Sequence, residues 1–245
     1  MARPFKLFGG SHLMGVISSL AIVYFSLRKL ARLPREKLER VINPLVGSIL
    51  LIWPVLARLI LIWQGDFRWQ TDLPFHLCSI STVLLGIYFF RPSQKFFDIL
   101  FYWAFSGGIL ALIFPDLKVD FPSFRYFSMF FGHALLLFSI LYLHLLQGMN
   151  PSDSGTRAFK WINALILPLI PINVWSGGNY LYLRQVPDIR FGPVSWLPDW
   201  PWYLILLDLF VFVLFRFWHY LFQLERVWFG LEVTEQEPVR SEKRA

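Results

Sequence analysis

The sequence has a single cysteine, Cys78, which excludes an intrachain disulfide scaffold. Charge is scarce too: 16% of the 245 residues are Asp, Glu, Lys or Arg, against roughly a quarter in soluble domains. With 56% of its residues hydrophobic, the chain is neither a water-soluble enzyme nor a disordered segment. Its 15 glycines follow no triplet period, which excludes collagen, and no internal repeat of fixed length is present. Gly-rich phosphate loops and heptad seams are missing, and the five histidines lack the spacing of zinc ligands, so no metal and no cofactor is called for.

What is abundant is apolar, with 26 Phe and 11 Trp among long aliphatic runs. Seven such runs stand out, from Leu13 to Leu30, Pro44 to Trp63, Pro74 to Phe90, Phe96 to Phe114, Phe124 to Leu146, Phe159 to Trp175 and Trp200 to Phe222. None alternates as a barrel strand does, and a helix satisfies its own backbone in hydrocarbon. The fold class is therefore all-α, a polytopic bundle of seven transmembrane helices over residues 1–225, with a polar, disordered cytoplasmic tail over 226–245. Spans holding Pro54, Pro168 and Pro171 are predicted to kink or break. The first run ends in Arg28, Lys29, Arg32, Arg35 and Lys37 without a small-residue cleavage site, so it reads as a retained span rather than a signal peptide.

Lys and Arg sort the connections by side. One face carries seven and the other, holding the first, third and fifth loops and the C-terminus, carries fourteen. By the positive-inside rule the N-terminus lies outside and the C-terminus in the cytoplasm of a bacterial inner membrane. The net charge of +7 follows from this bias, and nucleic acid is not an expected partner. Nine of the 11 Trp fall at span ends, as an aromatic belt requires. The long connection Ser176 to Asp199 is rich in Gly, Pro and aromatics and reads as an ordered cap.

Polar residues inside spans are costly and mark candidate sites. With the topology above, most gather in the outer half: His12, Arg58, His76, Cys78, Asp116, Arg125, Ser128, His133, Asn173, Asn179, Tyr180, Arg184 and Asp208. That skew implies a polar cavity opening outward or into the outer leaflet; the plainer reading is interhelical hydrogen bonding that holds the bundle. Cys78 and His133 are the chemical pair in the set, because a thiol becomes a strong nucleophile when a neighbouring base takes its proton. Asp208 or Asp116 would then orient the imidazole. On straight helices His133 lies roughly 13 Å down its span and Cys78 roughly 6 Å; a tilt or a re-entrant start at Pro74 would close that gap. Gly132 would open an approach to the imidazole, and Ser106, Gly107 and Gly108 would allow close helix packing.

The strings LPFHLCSIS from Leu73, FYWAFSGGILALIFPDL from Phe101, FPSFRYFSMFFGHALLL from Phe121 and GGNYLYLRQVP from Gly177 resemble the YwaF-type family of bacterial integral membrane proteins. FGGSHL around His12 and WPWY from Trp200 fit the same likeness, which extends from His12 to about Phe222. The resemblance implies seven membrane helices and relates the chain to an animal transmembrane acyltransferase that builds polyunsaturated ether phospholipids with a cysteine and a histidine. Those two match Cys78 and His133; Ser79 stands where many members carry an acidic residue. The function this implies is a membrane-embedded lipid acyltransferase. Cys78 and His133 would be catalytic, while His12, His76, Arg125, Asn179, Tyr180, Arg184 and Asp208 would bind a phospholipid or acyl donor. A non-enzymatic transporter or lipid- or solute-binding membrane protein fits the same outer cavity. Membrane lipids are the expected partners, and the sequence names no protein partner.

Overall fold

The computed structural model describes residues 3–187 and 196–228. Seven helices carry the fold: α1 Gly10–Leu30, α2 Asn43–Trp63, α3 Leu77–Phe90, α4 Gln94–Ile113, α5 Phe124–Leu145, α6 Thr156–Ser176 and α7 Trp202–Trp228. A helical turn at Arg35–Lys37 and a π turn at Leu38–Ile42 lead into α2 without a break. No β-strand forms among the described residues; one isolated bridge pairs Pro4 with Val119. The predicted tail lies outside the described residues from 229 onward, as does Arg190, one of the charges used to orient the chain.

Helix α4 is the centre. It packs on α3, α5, α6 and α7, and its stretch from Phe97 to Ser106 is buried without interruption. Around it, α1, α2, α6 and α7 turn large apolar side chains outward, such as Ile17 at 67%, Ile52 at 60% and Leu167 at 73% exposure. Water would not tolerate so continuous an apolar surface, and lipid does. Six helical segments of 20–29 residues are long and apolar enough to cross a bilayer.

The seventh segment is different. Helix α3 has 14 residues, about 21 Å of rise, where the hydrocarbon core needs about 30 Å. The sequence places its start at Pro74; the helix starts at Leu77, after extended backbone at His76. Its first turn follows a non-helical strap that is largely exposed up to Thr71 and partly buried from Asp72 to His76. Of the kink or break expected at the prolines, the break does not occur: α2 continues through Pro54 and α6 through Pro168 and Pro171.

Small residues set the helix spacing. A Cβ on Gly47 would meet Phe89 and Phe90 at 2.8 Å, and one on Gly86 would meet Leu51 at 2.7 Å, so α2 and α3 lock reciprocally. At the end of the bundle where α4 begins, the fully buried Asp98 accepts Gln94 Nε2, the Ser152 amide at 2.9 Å and the Ser152 hydroxyl at 2.7 Å, and is paired with Arg157. This fastens α4 to the α5–α6 connection, a burial tolerable only because every oxygen is served.

Candidate functional site

The start of α3 at Leu77 places Cys78 in its first turn. The thiol is free and half-buried. The turn has no side-chain cap, and its orphan amides surround the thiol end of the helix. The sulfur rests on Gly107 of α4, where a Cβ would stand 3.0 Å from Sγ. On the next residue, a Cβ at Gly108 would stand 3.8 Å from the His133 carbonyl. Helix α3 thus meets α4 at Gly107 through the Cys78 sulfur, and α5 meets it at Gly108 through Leu137 and the His133 backbone.

His133 is oriented by its own helix. Its Nδ1 lies 2.8 Å from the Met129 carbonyl, which can only accept, so Nδ1 carries the proton and Nε2 is left as the basic atom. Met129 therefore occupies the orienting position that sequence reasoning gives to Asp208 or Asp116. Asp208 instead accepts Asn163 Nδ2 at 3.0 Å between α6 and α7. Gly132 faces Trp53 of α2 rather than an approach to the imidazole.

His76, the N-cap residue of α3, is within electrostatic range of His133, Arg58 and Asp72. Its ring meets Tyr180 edge-on at 4.9 Å and Tyr182 at 6.2 Å. Tyr180 is fully buried; its hydroxyl donates to the Trp69 carbonyl at 2.6 Å and accepts the Leu73 amide at 3.1 Å, clamping the strap that positions Cys78. Arg125 holds the same strap from α5, with both terminal nitrogens on the Asp72 carboxylate at 2.8 Å. Burial by itself would raise the Asp72 carboxyl, but bonds from Arg125, the Arg68 amide and Thr71 outweigh it and hold the group below its ordinary value.

The other residues expected to bind a lipid each make hydrogen bonds within the chain. Both nitrogens of the buried His12 are occupied, Nδ1 by the Phe8 amide at 2.9 Å and Nε2 on the Leu112 carbonyl at 2.9 Å. Asn179 folds its own loop, accepting the Arg184 and Gln185 amides and donating to the Gln185 carbonyl. Arg184 donates to the carbonyls of Asn173 and Gly178. The structure therefore sets His76 against Tyr180 and within electrostatic range of His133, and ties the strap before Cys78 to Tyr180 and Arg125.

Tyr182 is a neighbour that sequence reasoning missed. Leu181 and Tyr182 both take left-handed backbone, φ 54° and 55°, which costs a non-glycine residue about 1 kcal/mol or more. The turn is held by the Tyr182 amide on the Asn179 carbonyl at 3.0 Å and by the buried Tyr203 hydroxyl on the Tyr182 carbonyl at 2.6 Å. It brings the Tyr182 phenol to Asp116 and within range of Cys78, and burial first, with those two groups, raises the phenol above its usual value. The signal available in sequence was the Tyr-Leu-Tyr spacing after a Gly-Gly-Asn turn. Two buried hydroxyls beside this region, Ser81 one turn beyond Cys78 and Ser106 next to Gly107, have no hydrogen-bond partner among the described residues. Nor do the described residues gather three or more His, Cys, Asp or Glu as metal ligands.

Comparison with known proteins places the chain in a family. The model of the TMEM164 family matches residues 7–219, and the chain belongs to that family. With its apolar helices, this makes it a multi-pass membrane protein. An uncharacterized protein of Treponema pallidum (strain Nichols) is 27% identical over 126 residues, 49% of this chain and 50% of that protein. The match thus spans about half the length of that curated relative. No solved structure matches the chain.

Proposed function

We propose that this protein is a membrane-embedded acyltransferase that moves an acyl chain between lipids through a thioester on Cys78. The observation that carries the reading is the anchoring of His133 Nδ1 on the Met129 carbonyl, which leaves Nε2 basic, on a helix that packs on α4 beside the step where the Cys78 sulfur rests. The YwaF-type likeness of the motifs around these two residues, and the Cys/His acyltransferase it implies, supply the chemical precedent.

The steps balance with the chain's own groups. His133 Nε2 takes the Cys78 proton, and the thiolate attacks the ester carbonyl of a donor phospholipid. The tetrahedral oxyanion falls where the uncapped amides of α3 can donate to it. Collapse breaks the ester C–O bond, and the departing lysolipid oxygen takes the proton from His133. The acceptor lysolipid hydroxyl then gives its proton to His133 as it attacks the thioester; the C–S bond breaks and the thiol is restored. Half-burial among helices excludes the water that would otherwise hydrolyse the thioester.

The face bearing Cys78 is the outer one in this reading, with the N-terminus outside and the C-terminus in the cytoplasm of a bacterial membrane. The excess of Lys and Arg in the opposite connections supports it. Function is tested by replacing Cys78→Ala and His133→Ala separately and comparing phospholipid acyl profiles of cells holding equal amounts of each protein. A shifted profile in both variants is expected; wild-type lipids in both would sink the reading.

A further inference from the structure

Arg58 is a charge inside α2 that no carboxylate bonds directly. Its Nε donates to the Asp72 carbonyl at 2.7 Å, one terminal nitrogen to the Pro54 carbonyl at 2.7 Å and the other to the Ser79 hydroxyl at 3.2 Å. All three acceptors are uncharged. Asp72 is the acidic group whose field reaches Arg58, and its two carboxylate oxygens are both taken by Arg125. Five N–H bonds belong to a guanidinium; three are used here, and each terminal nitrogen retains one. A cation in an apolar bundle is costly until an anion meets it.

Its position gives the anion a purpose. Arg58 lies five residues before the end of α2, roughly 8 Å below it at the helical rise, and remains half-buried rather than sealed. It holds Ser79, the residue after Cys78, and its charge bears on His76, whose imidazole has no hydrogen-bond partner among the described residues. The two spare N–H groups leave the guanidinium with donors for phosphate oxygens.

We infer that Arg58, with Ser79 and His76, is the phosphate-binding subsite of this protein, taking the phosphodiester of a lipid headgroup beside the thiol. The inference rests on the acyl-transfer reading for its place in a reaction, since a glycerophospholipid carries its ester carbonyl a few bonds from its phosphate, as Ser79 adjoins Cys78. Binding itself requires no chemistry at Cys78, and this separates the two ideas.

The test is retention of lipid by the full-length, detergent-purified protein in native mass spectrometry. The probes are phosphatidylglycerol and a diacylglycerol with the same chains. Wild type and Cys78→Ala are expected to retain phosphatidylglycerol alike. Arg58→Gln should lose about tenfold in that affinity, the scale of a charge-assisted pair, with diacylglycerol unaffected. Ser79→Asp offers Arg58 a carboxylate at the start of a helix, where acidic residues are stabilising, so it neutralises the guanidinium in place of a phosphate, and it should lose phosphatidylglycerol similarly. Competition by inorganic phosphate would show that the phosphate group suffices; its failure would show that the lipid body is needed, and either supports the subsite. Equal phosphatidylglycerol retention by wild type and Ser79→Asp overturns it. Loss in Arg58→Gln and Ser79→Asp, with cellular lipids unchanged by Cys78→Ala, would keep the subsite and remove the acyltransferase.

Discussion

Tyr180→Phe tests how the thiol is held at depth. The substitution leaves the ring in place against Phe75 at 5.6 Å and His76 at 4.9 Å and deletes only the hydroxyl. That oxygen serves two backbone groups of the strap, the Leu73 amide and the Trp69 carbonyl. Removing the partner of this partly buried amide and carbonyl costs at most about 1–3 kcal/mol. Taking about 2 kcal/mol, local opening of the strap becomes roughly 30-fold more frequent. Hydrogen exchange over residues 67–77 reads this directly, and maleimide labelling of Cys78 reads its consequence at the sulfur, which should react faster as the first turn of α3 loosens. Exchange and labelling both equal to wild type would refute the assignment of Tyr180 as the clamp.

Two further outcomes follow from the same geometry. Gly107→Ala places a methyl 3.0 Å from Cys78 Sγ, tighter than van der Waals contact, and should cut thiol labelling several-fold without unfolding the protein. Gly108→Ala, whose nearest neighbour would be Leu137 at 3.4 Å, should leave labelling near wild type, and equal effects of the two would contradict the seating of the thiol. The Asp72–Arg125 clamp carries a pH signature. Because the folded carboxyl lies below its ordinary value of about 3.9, its stabilisation is present above that pH and disappears as pH falls through the lower folded value. Thermal unfolding in detergent should therefore weaken more steeply below about pH 4 in wild type than in Asp72→Asn; parallel curves would refute it.

The fold was legible because lipid imposes one simple rule on sequence. Runs of apolar residues with few charges gave seven helices at nearly their observed bounds, and Gly107 and Gly108 read correctly as packing residues. Helix α3 departed from its predicted bounds, since hydropathy counts Pro74 to His76 as apolar while the backbone there is drawn out by Tyr180 and Arg125 from distant segments. Continuity through Pro54 and Pro171 was not legible for a related reason: neighbouring structure, not local propensity, decides whether a helix survives a proline.

The candidate site was legible in its chemistry and less so in its supports. Cys78 and His133 stood out as a lone thiol and an intramembrane imidazole. Which polar residues face them depends on side-chain direction, which spacing does not carry. His12 and Asn179 look like ligands in a list of buried polar residues, and both spend their atoms on backbone groups. Met129 could not be foreseen as the orienting partner of His133, because it acts through a carbonyl that every residue has. Tyr182 depends on two left-handed residues whose conformation is fixed by Asn179 and Tyr203.

The central claim is covalent, and intact-protein mass spectrometry tests it most directly. Purified protein is incubated in vesicles with a phospholipid bearing one isotope-labelled acyl chain and no lysolipid acceptor. The account predicts a labelled acyl adduct that neutral hydroxylamine removes, that maps to Cys78, that forms more slowly in His133→Ala and that is absent from Cys78→Ala. An unmodified wild-type protein, or an adduct equally abundant in Cys78→Ala, would contradict it.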